Sequence, residues 1–304
     1  MVDVYRLAEE LNIHDIAACS VEKFEDVEYI LQKDMALGIY PPFVEEDIQK
    51  RIDPKETMAD ALSFLVVLEH YEPRIYQKRE GCYGNISPAA CGEDYHRIVH
   101  NKLNALTEVL GKEYPNARFL SYVDNSPFSE KHVAVRAGLG RILKNGLFYS
   151  KKFGSRCFIG IVLTNLPVDM WNLKKRFDGQ DMYFERCNSC NACIQLCPGN
   201  ALSSDGLNSY RCVSYLTQKK ELLTEDEEIR MQNHVYGCDV CQKVCPLNPV
   251  IPSGYETGME VELEEMMNIS NREFKEQYQK TAAGWRGKKQ LKKNAEIALK
   301  NIGR

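Results

Sequence analysis

The sequence contains no Gly-x-Gly-x-x-Gly after a strand signal and no P-loop. Such glycine-rich turns cradle a dinucleotide's pyrophosphate or a nucleotide's phosphates, so neither a nicotinamide nor an ATP site is indicated. The lone "AGLG" follows a helical stretch and reads as a helix end. Long apolar runs are missing as well. "ALSFLVVLE" and "CFIGIVLTNL" fall far short of the ~20 residues that span a bilayer, so no membrane span is expected. The opening "MVDVYRLAEELNIHD" lacks a basic stretch ahead of an apolar one, and no secretory signal is expected. A formal charge of −4 over 304 residues is mild and gives no sign of a global attraction for nucleic acid. His96 and His100 stand one helical turn apart in "HRIVH", but the Glu of a His-Glu-x-x-His zinc site is absent. A polar helix face is the commoner meaning of such a pair.

Cysteine is the residue present in excess, with twelve in the chain. In a reducing cytoplasm, the expected location, that number points to metal or redox chemistry rather than disulfides. Hydrophobic content of 44% and charged content of 27% are ordinary for a globular protein.

The first ~170 residues alternate helix and strand signals, which predicts an α/β layer structure. "DIAACS", "LSFLVVLEHY" and "ARFLSYVD" read as strands, and "LFYSKKFGSRCFIGIVLTNL" as two strands joined by a turn. Helices are expected over "VEKFEDVEYILQKDMALGI" and "EDYHRIVHNKLNALTEVLGKEYP", the latter with Ile98, Leu103, Leu106 and Leu110 on its apolar face. "SPFSEKHVAVRAGLG" is a further helix with Ser129 as N-cap and Gly138 as its stop. A polar connector, "PVDMWNLKKRFDGQDMYFE", leads to the cysteine-rich part. The expected domains are a catalytic one over 1–180, a cluster domain over 181–250 and a helical, basic tail over 251–304.

Cys187, Cys190, Cys193 and Cys197-Pro198 spell C-x2-C-x2-C-x3-C-P, the run that binds [4Fe–4S] clusters and lends its fourth cysteine to a second cluster. Cys238, Cys241 and Cys245-Pro246 supply three thiolates more, and the isolated Cys212 in "SYRCVSYL" makes eight. Cross-ligation then closes the count. One cluster takes Cys187, Cys190, Cys193 and Cys245; the other takes Cys197, Cys212, Cys238 and Cys241. Structural zinc is the alternative for C-x2-C pairs, but it rarely needs the third cysteine and the Cys-Pro. Of the remaining cysteines, Cys19 and Cys157 read as small buried hydrophobes. Cys91, beside "GEDYH", is a candidate border of a site. Paired clusters pass single electrons, so another part of the chain must receive them. Asp124, at a strand exit ahead of "NSP", is the carboxylate best placed for chemistry there.

The segments "KRIDP", "GEDYHRIVHNKL", "YVDNSPFSEKHVAVRAGLG", "LKNGLF", "CNSCNACIQLCPGNAL", "RCVSYLTQ", "YGCDVCQKVCPLN" and "GWRGKKQLKKNAEIAL" together resemble the epoxyqueuosine reductase family, from about residue 45 onward. That resemblance implies a cobalamin-dependent iron–sulfur enzyme acting on tRNA, with a nitroreductase-like N-terminal domain and a ferredoxin-like cluster insert. It implies that the cobalt lies between the two and takes the electrons, and that Asp124 is the proton donor. It further implies cobalamin contacts at Arg51, Ser87, Asp124, Phe148, Ile159, Ser214 and Asp239. An epoxide's oxygen leaves as an alkoxide that an acid must protonate, which Asp124 does near neutral pH only if burial raises its pKa.

Three positions depart from the family. Ala90-Cys91-Gly92 stands where Trp-Gly is usual, Arg141 follows "AGLG" in place of an aromatic, and a short form without the family's C-terminal helical repeats is expected. From Arg272 onward ten Lys/Arg face three Glu, and Trp285 lies among them, which suits contact with the anticodon region of tRNA. An external low-potential donor, such as a ferredoxin or flavodoxin, and a monomeric state are expected. The alternatives are a corrinoid iron–sulfur reductase of a small molecule, such as a reductive dehalogenase, and a non-catalytic electron carrier.

Overall fold

The computed structural model describes residues 2–173 and 182–303. The connector expected between Pro167 and Glu185 lies partly outside the described residues, and so does the expected domain boundary at 180. By packing, the chain forms two compact units, residues 1–71 with 96–187 and residues 72–95 with 188–304.

The first unit is layered around a four-stranded sheet. Ser63–His70 and Cys157–Thr164 pair at its centre, with Asp15–Ser20 and Phe119–Tyr122 on the flanks. Every pairing is antiparallel, so the alternating helix and strand signals do not here make parallel crossovers. The central strand Ser63–His70 is buried on both faces over most of its length, which explains its unbroken apolar run. Phe64, Val66 and Leu68 join Val27, Leu31, Val133, Ala134, Ile161 and Leu163 in one core cluster. These residues come from the helices Glu25–Ala36 and Glu130–Arg136 and from the neighbouring strand.

The helix Tyr95–Glu113 covers the other face. A Cβ on Gly160 would lie 2.6 Å from Val99 Cγ1 and 3.0 Å from Val67 Cγ2, so glycine sets how closely helix and sheet approach. The helix buries Val99, Leu103, Leu106 and Leu110, each worth about 1.5–3 kcal/mol. Ile98, expected on that face, is only half-buried, and Val99 takes its place.

In the second unit the strand Tyr83–Ile86 pairs in parallel with His234–Tyr236 and antiparallel with Met259–Glu262. The helix Lys288–Ile302 packs Leu291, Ala295 and Ala298 into the same core as Ile86, Val235 and Leu263. Gly84 admits this packing, since a Cβ there would meet Val235 at 2.5 Å and Leu263 at 2.7 Å.

Candidate active site

Asp124 follows the strand Phe119–Tyr122 in a three-residue turn. The Asn125 N–H donates to the Val123 carbonyl at 2.8 Å while Asp124 sits at φ +65°. That is the rarer, positive-φ form of the γ-turn, a strained arrangement costing about 1–3 kcal/mol that persists only where surrounding contacts impose it. The turn borders a cleft of about 440 Å³ lined by Phe43, Lys50, Thr57, Asp124, Asn125 and Pro127, among others. Phe43, 60% exposed, also has a positive φ of 66°.

The Asp124 side chain is 58% exposed, and His96 Nε2 lies 3.2 Å from its Oδ2. The expected burial of the Asp124 carboxyl is therefore not found, and the buried carboxyl beside it is Glu130. Burial and the Asp124 charge push the Glu130 carboxyl up to about 8, against the pull of the Asp124 N–H, His96 and Arg51. Neither His96 nor Glu130 was singled out from the sequence as a partner of Asp124. His96 stands in "GEDYH", a helix start that periodicity cannot tie to a strand exit. Ser129 does occupy the N-cap position, but its hydroxyl faces His132 Nδ1 at 2.7 Å and does not cap the helix.

Arg51 is 6% exposed, and burial lowers its pKa against the pull of Tyr40, Glu130 and Glu45. Its buried Nε has no hydrogen-bond partner. Phe148 is buried in the sheet's core cluster, with Ile159 packed against that cluster.

The other expected contacts lie along the cluster-binding loops of the second unit. Ser87 is buried against Gly237, where a Cβ would come within 2.6 Å of Ser87 Cβ. Ser214 follows Cys212 in the short helix Val213–Leu216. Asp239 is 4% exposed, and its carboxylate accepts from Gln242 Nε2 at 2.6 Å and from Thr257 Oγ1 at 3.1 Å.

Four of the eight cluster cysteines share one electrostatic environment: Cys241 is raised by burial first and then by Cys238, Cys212, Asp239 and Cys197. Burial likewise raises Cys212 and pushes Cys238 up to about 12. The sulfurs also collect backbone donors. The Ala201 N–H donates to Cys197 Sγ at 3.3 Å, Ser214 and Tyr215 donate to Cys212, and Val240 donates to Cys238. Among the described residues no His, Cys, Asp or Glu group of three or more converges into a closed metal site. The set nevertheless fits an iron–sulfur cluster: buried thiols that resist ionisation in isolation become thiolates beside a metal's charge, and N–H donors stabilise them. The two runs also meet, since the helix Ala192–Gln195 packs against Val240–Lys243. Cys91, the candidate border of a site, is buried beside Ser87. Its buried thiol contacts the Ile86 and Ser87 carbonyls at 3.3 and 3.2 Å, and burial pushes it up to about 12.

An α/β unit with a strained carboxylate turn, joined to paired cysteine runs, defines a two-cluster iron–sulfur oxidoreductase. Residues 186–248 match the family described as a 4Fe-4S double cluster binding domain, and residues 51–125 match epoxyqueuosine reductase QueG, DUF1730. The chain belongs to the epoxyqueuosine reductase family. It is 33% identical over 310 residues to the epoxyqueuosine reductase of Lactococcus garvieae (strain Lg2), spanning 98% of this chain and 86% of that one. It is also similar to the crystal structure of epoxyqueuosine reductase with a tRNA-Tyr epoxyqueuosine-modified tRNA stem loop (TM-score 0.84, 32% identity, 98% of this chain and 82% of that one). A third likeness is to epoxyqueuosine reductase from Bacillus subtilis, solved with an aspartate-bearing catalytic loop swung out of the active site (TM-score 0.84, 31% identity, 98% and 82% coverage).

Proposed function

We propose that this chain reduces epoxyqueuosine to queuosine in tRNA, with cobalamin as the group that meets the epoxide and Asp124 as the proton donor. The observation that carries the reading is the strained Asp124 turn at a cleft, in a chain that also holds eight correctly spaced cysteines. The work divides along the chain into corrinoid binding and catalysis over 1–180, electron delivery over 181–250 and a segment over 251–304. That segment includes the strand Met259–Glu262 and becomes helical and basic only later, not throughout as expected. The protein acts in the cytoplasm as a monomer, supplied by a low-potential donor of the ferredoxin or flavodoxin kind. No helix among the described residues is long and apolar enough to cross a membrane.

The residues present fit a corrinoid in part. The orphaned Arg51 Nε is a donor that a corrin side-chain amide would satisfy. Ser87, Ser214 and Ile159 remain further contacts in this reading. Phe148 and Asp239 serve it from within the structure, the first as core packing and the second through its bonds to Gln242 and Thr257. When bound, cobalamin would supply a low-valent metal, and clusters held by the eight cysteines would supply electrons singly. Converting an epoxide to an alkene consumes two electrons and two protons and releases water. Asp124, 58% exposed in the chain alone, would hold the first proton at its carboxyl once substrate covers the cleft, giving it to the oxygen as the C–O bond breaks, and His96 fixes that carboxyl's orientation. Solvent supplies the second proton.

The basic segment gives tRNA a surface. Lys288, Lys289 and Lys292 form no ion pair among the described residues, whereas Arg272 and Lys300 pair with Glu276 and Glu228. Trp285 is 56% exposed, with the Arg286 guanidinium 3.8 Å from its ring centroid, a platform on which a base can stack.

Anaerobic reconstitution with iron, sulfide, cobalamin and a low-potential reductant tests the proposal, read by mass analysis of epoxyqueuosine-containing tRNA. Conversion is expected. Failure with both clusters and cobalamin bound overturns it.

A further inference from the structure

We infer that Glu130 is the positioning residue for Asp124: its carboxyl group latches the Asp124 backbone N–H and so holds the strained turn that presents the Asp124 side chain to the cleft. The turn has little reason to exist by itself, because its own closing bond joins residues only two apart across a positive φ. Glu130 supplies the missing restraint. It begins the helix Glu130–Arg136, whose place is fixed by Val133 and Ala134 in the sheet's core, and it accepts the Asp124 N–H. The latch is thereby anchored to the buried core of the unit.

Its chemistry suits the task. Glu130 Oε1 is shielded from solvent and has no hydrogen-bond partner, an arrangement that disfavours a charge there. The groups that face it are Asp124 from the turn, His96 from the helix Tyr95–Glu113 and Arg51 from the helix Ile48–Ile52. With its pKa pushed up to about 8, Glu130 is a carboxylic acid at neutral pH. It then accepts the N–H without adding its own negative charge beside the Asp124 carboxyl. Ionisation above that pH adds the charge and opposes delivery from Asp124. The catalytic consequence rests on Asp124 as proton donor; the latch itself does not.

Hydrogen exchange of the Asp124 and Asn125 amides in the full chain with reconstituted clusters reads the latch directly, alongside turnover from pH 6 to 9. Glu130→Ala is expected to exchange at least ~10-fold faster at these amides and to lose ~10-fold or more in kcat with KM little changed. Glu130→Gln, which keeps a carbonyl acceptor and cannot ionise, should match the wild type in exchange and in rate at pH 7. It should also lose the wild-type break near pH 8. Wild-type exchange in the Ala variant, Ala-like exchange in the Gln variant, or a break persisting in the Gln variant each overturns the inference. Iron content and thermal melting establish that the variants fold, and if the Ala variant does not, the two Gln outcomes decide. A fully active Asp124→Asn sinks the donor reading and leaves the exchange result standing.

Discussion

His96 Nε2 and Asp124 Oδ2 lie 3.2 Å apart, brought together from the start of a long helix and the exit of a strand. The pair makes His96 the group that orients the proposed donor. His96→Ala should lower kcat for queuosine formation by roughly 10- to 100-fold with KM for tRNA little changed, since the interaction touches the carboxyl and not the RNA. Asp124→Asn should be the more damaging change. Steady-state kinetics on both variants check the order, and a His96 variant with wild-type kcat removes that role.

The cysteines divide by environment in a way that iron analysis can read. Cys212→Ala takes one thiolate from the set formed with Cys197, Cys238 and Cys241, so reconstituted protein should lose about half its iron. Cys91→Ala removes a thiol that only contacts carbonyls within the core, and its iron should stay at the wild-type level. Equal iron loss in both variants would contradict the ligand assignment.

The spacing of the cysteines pointed to the double-cluster segment that residues 186–248 match, because thiolate ligation is a local constraint written into short loops. The apolar runs likewise gave the strands Asp15–Ser20 and Ser63–His70 and the long helix after Tyr95. What the sequence did not disclose depends on long-range approach. The antiparallel order of the first sheet, the membership of residues 72–95 in the second unit, and the meeting of His96 with Asp124 arise from tertiary packing. Glu130 was hidden for another reason: at the first position of a helix, an acid is the ordinary complement to the helix dipole. Only its shielded, unpartnered oxygen marks it as unusual.

Asn294 links the C-terminal helix to the cluster loops. Fully buried, it donates to the Thr217 carbonyl at 2.7 Å and the Val235 carbonyl at 2.8 Å, while Thr217 Oγ1 accepts the Gly237 N–H at 2.9 Å. Thr217 follows the helix that begins after Cys212, and Gly237 precedes Cys238. Asn294→Ala takes a donor from the Val235 carbonyl, leaves the Thr217 carbonyl with only the longer bond from Gln290 Nε2 at 3.3 Å and opens a cavity, a loss of about 2–4 kcal/mol. Urea titration should show that loss, and iron retention on storage should fall with it.

His132 ties stability to acidity in the first unit. Burial, with Lys131, Arg51 and Arg136 nearby and Asp26 opposing, pushes its pKa down to about 4 from an ordinary 6.5. The folded pKa lies below the unfolded one, so between these values the unfolded chain binds the extra proton. Stability from this group is therefore complete above about 6.5 and is lost as pH falls towards 4, by roughly 3 kcal/mol at most. His132→Gln should flatten the difference in melting temperature across that window. A variant that tracks the wild type from pH 7 to 4 shows the imidazole to be uninvolved.

Binding of tRNA should follow the charge distribution of the C-terminal segment. Each phosphate neutralised by a lysine or arginine releases counterions, so affinity falls with salt at a slope of about −0.7 to −0.9 per contact. Lys288, Lys289 and Lys292 are without ion pairs among the described residues, and replacing all three with glutamine should flatten the slope by about two to three. Trp285→Ala removes a stacking face rather than a charge, and should weaken binding by about 1–3 kcal/mol while leaving the slope unchanged. The two signatures separate backbone contact from base stacking on one filter-binding series. A slope that the triple variant leaves at the wild-type value would place the RNA on another surface.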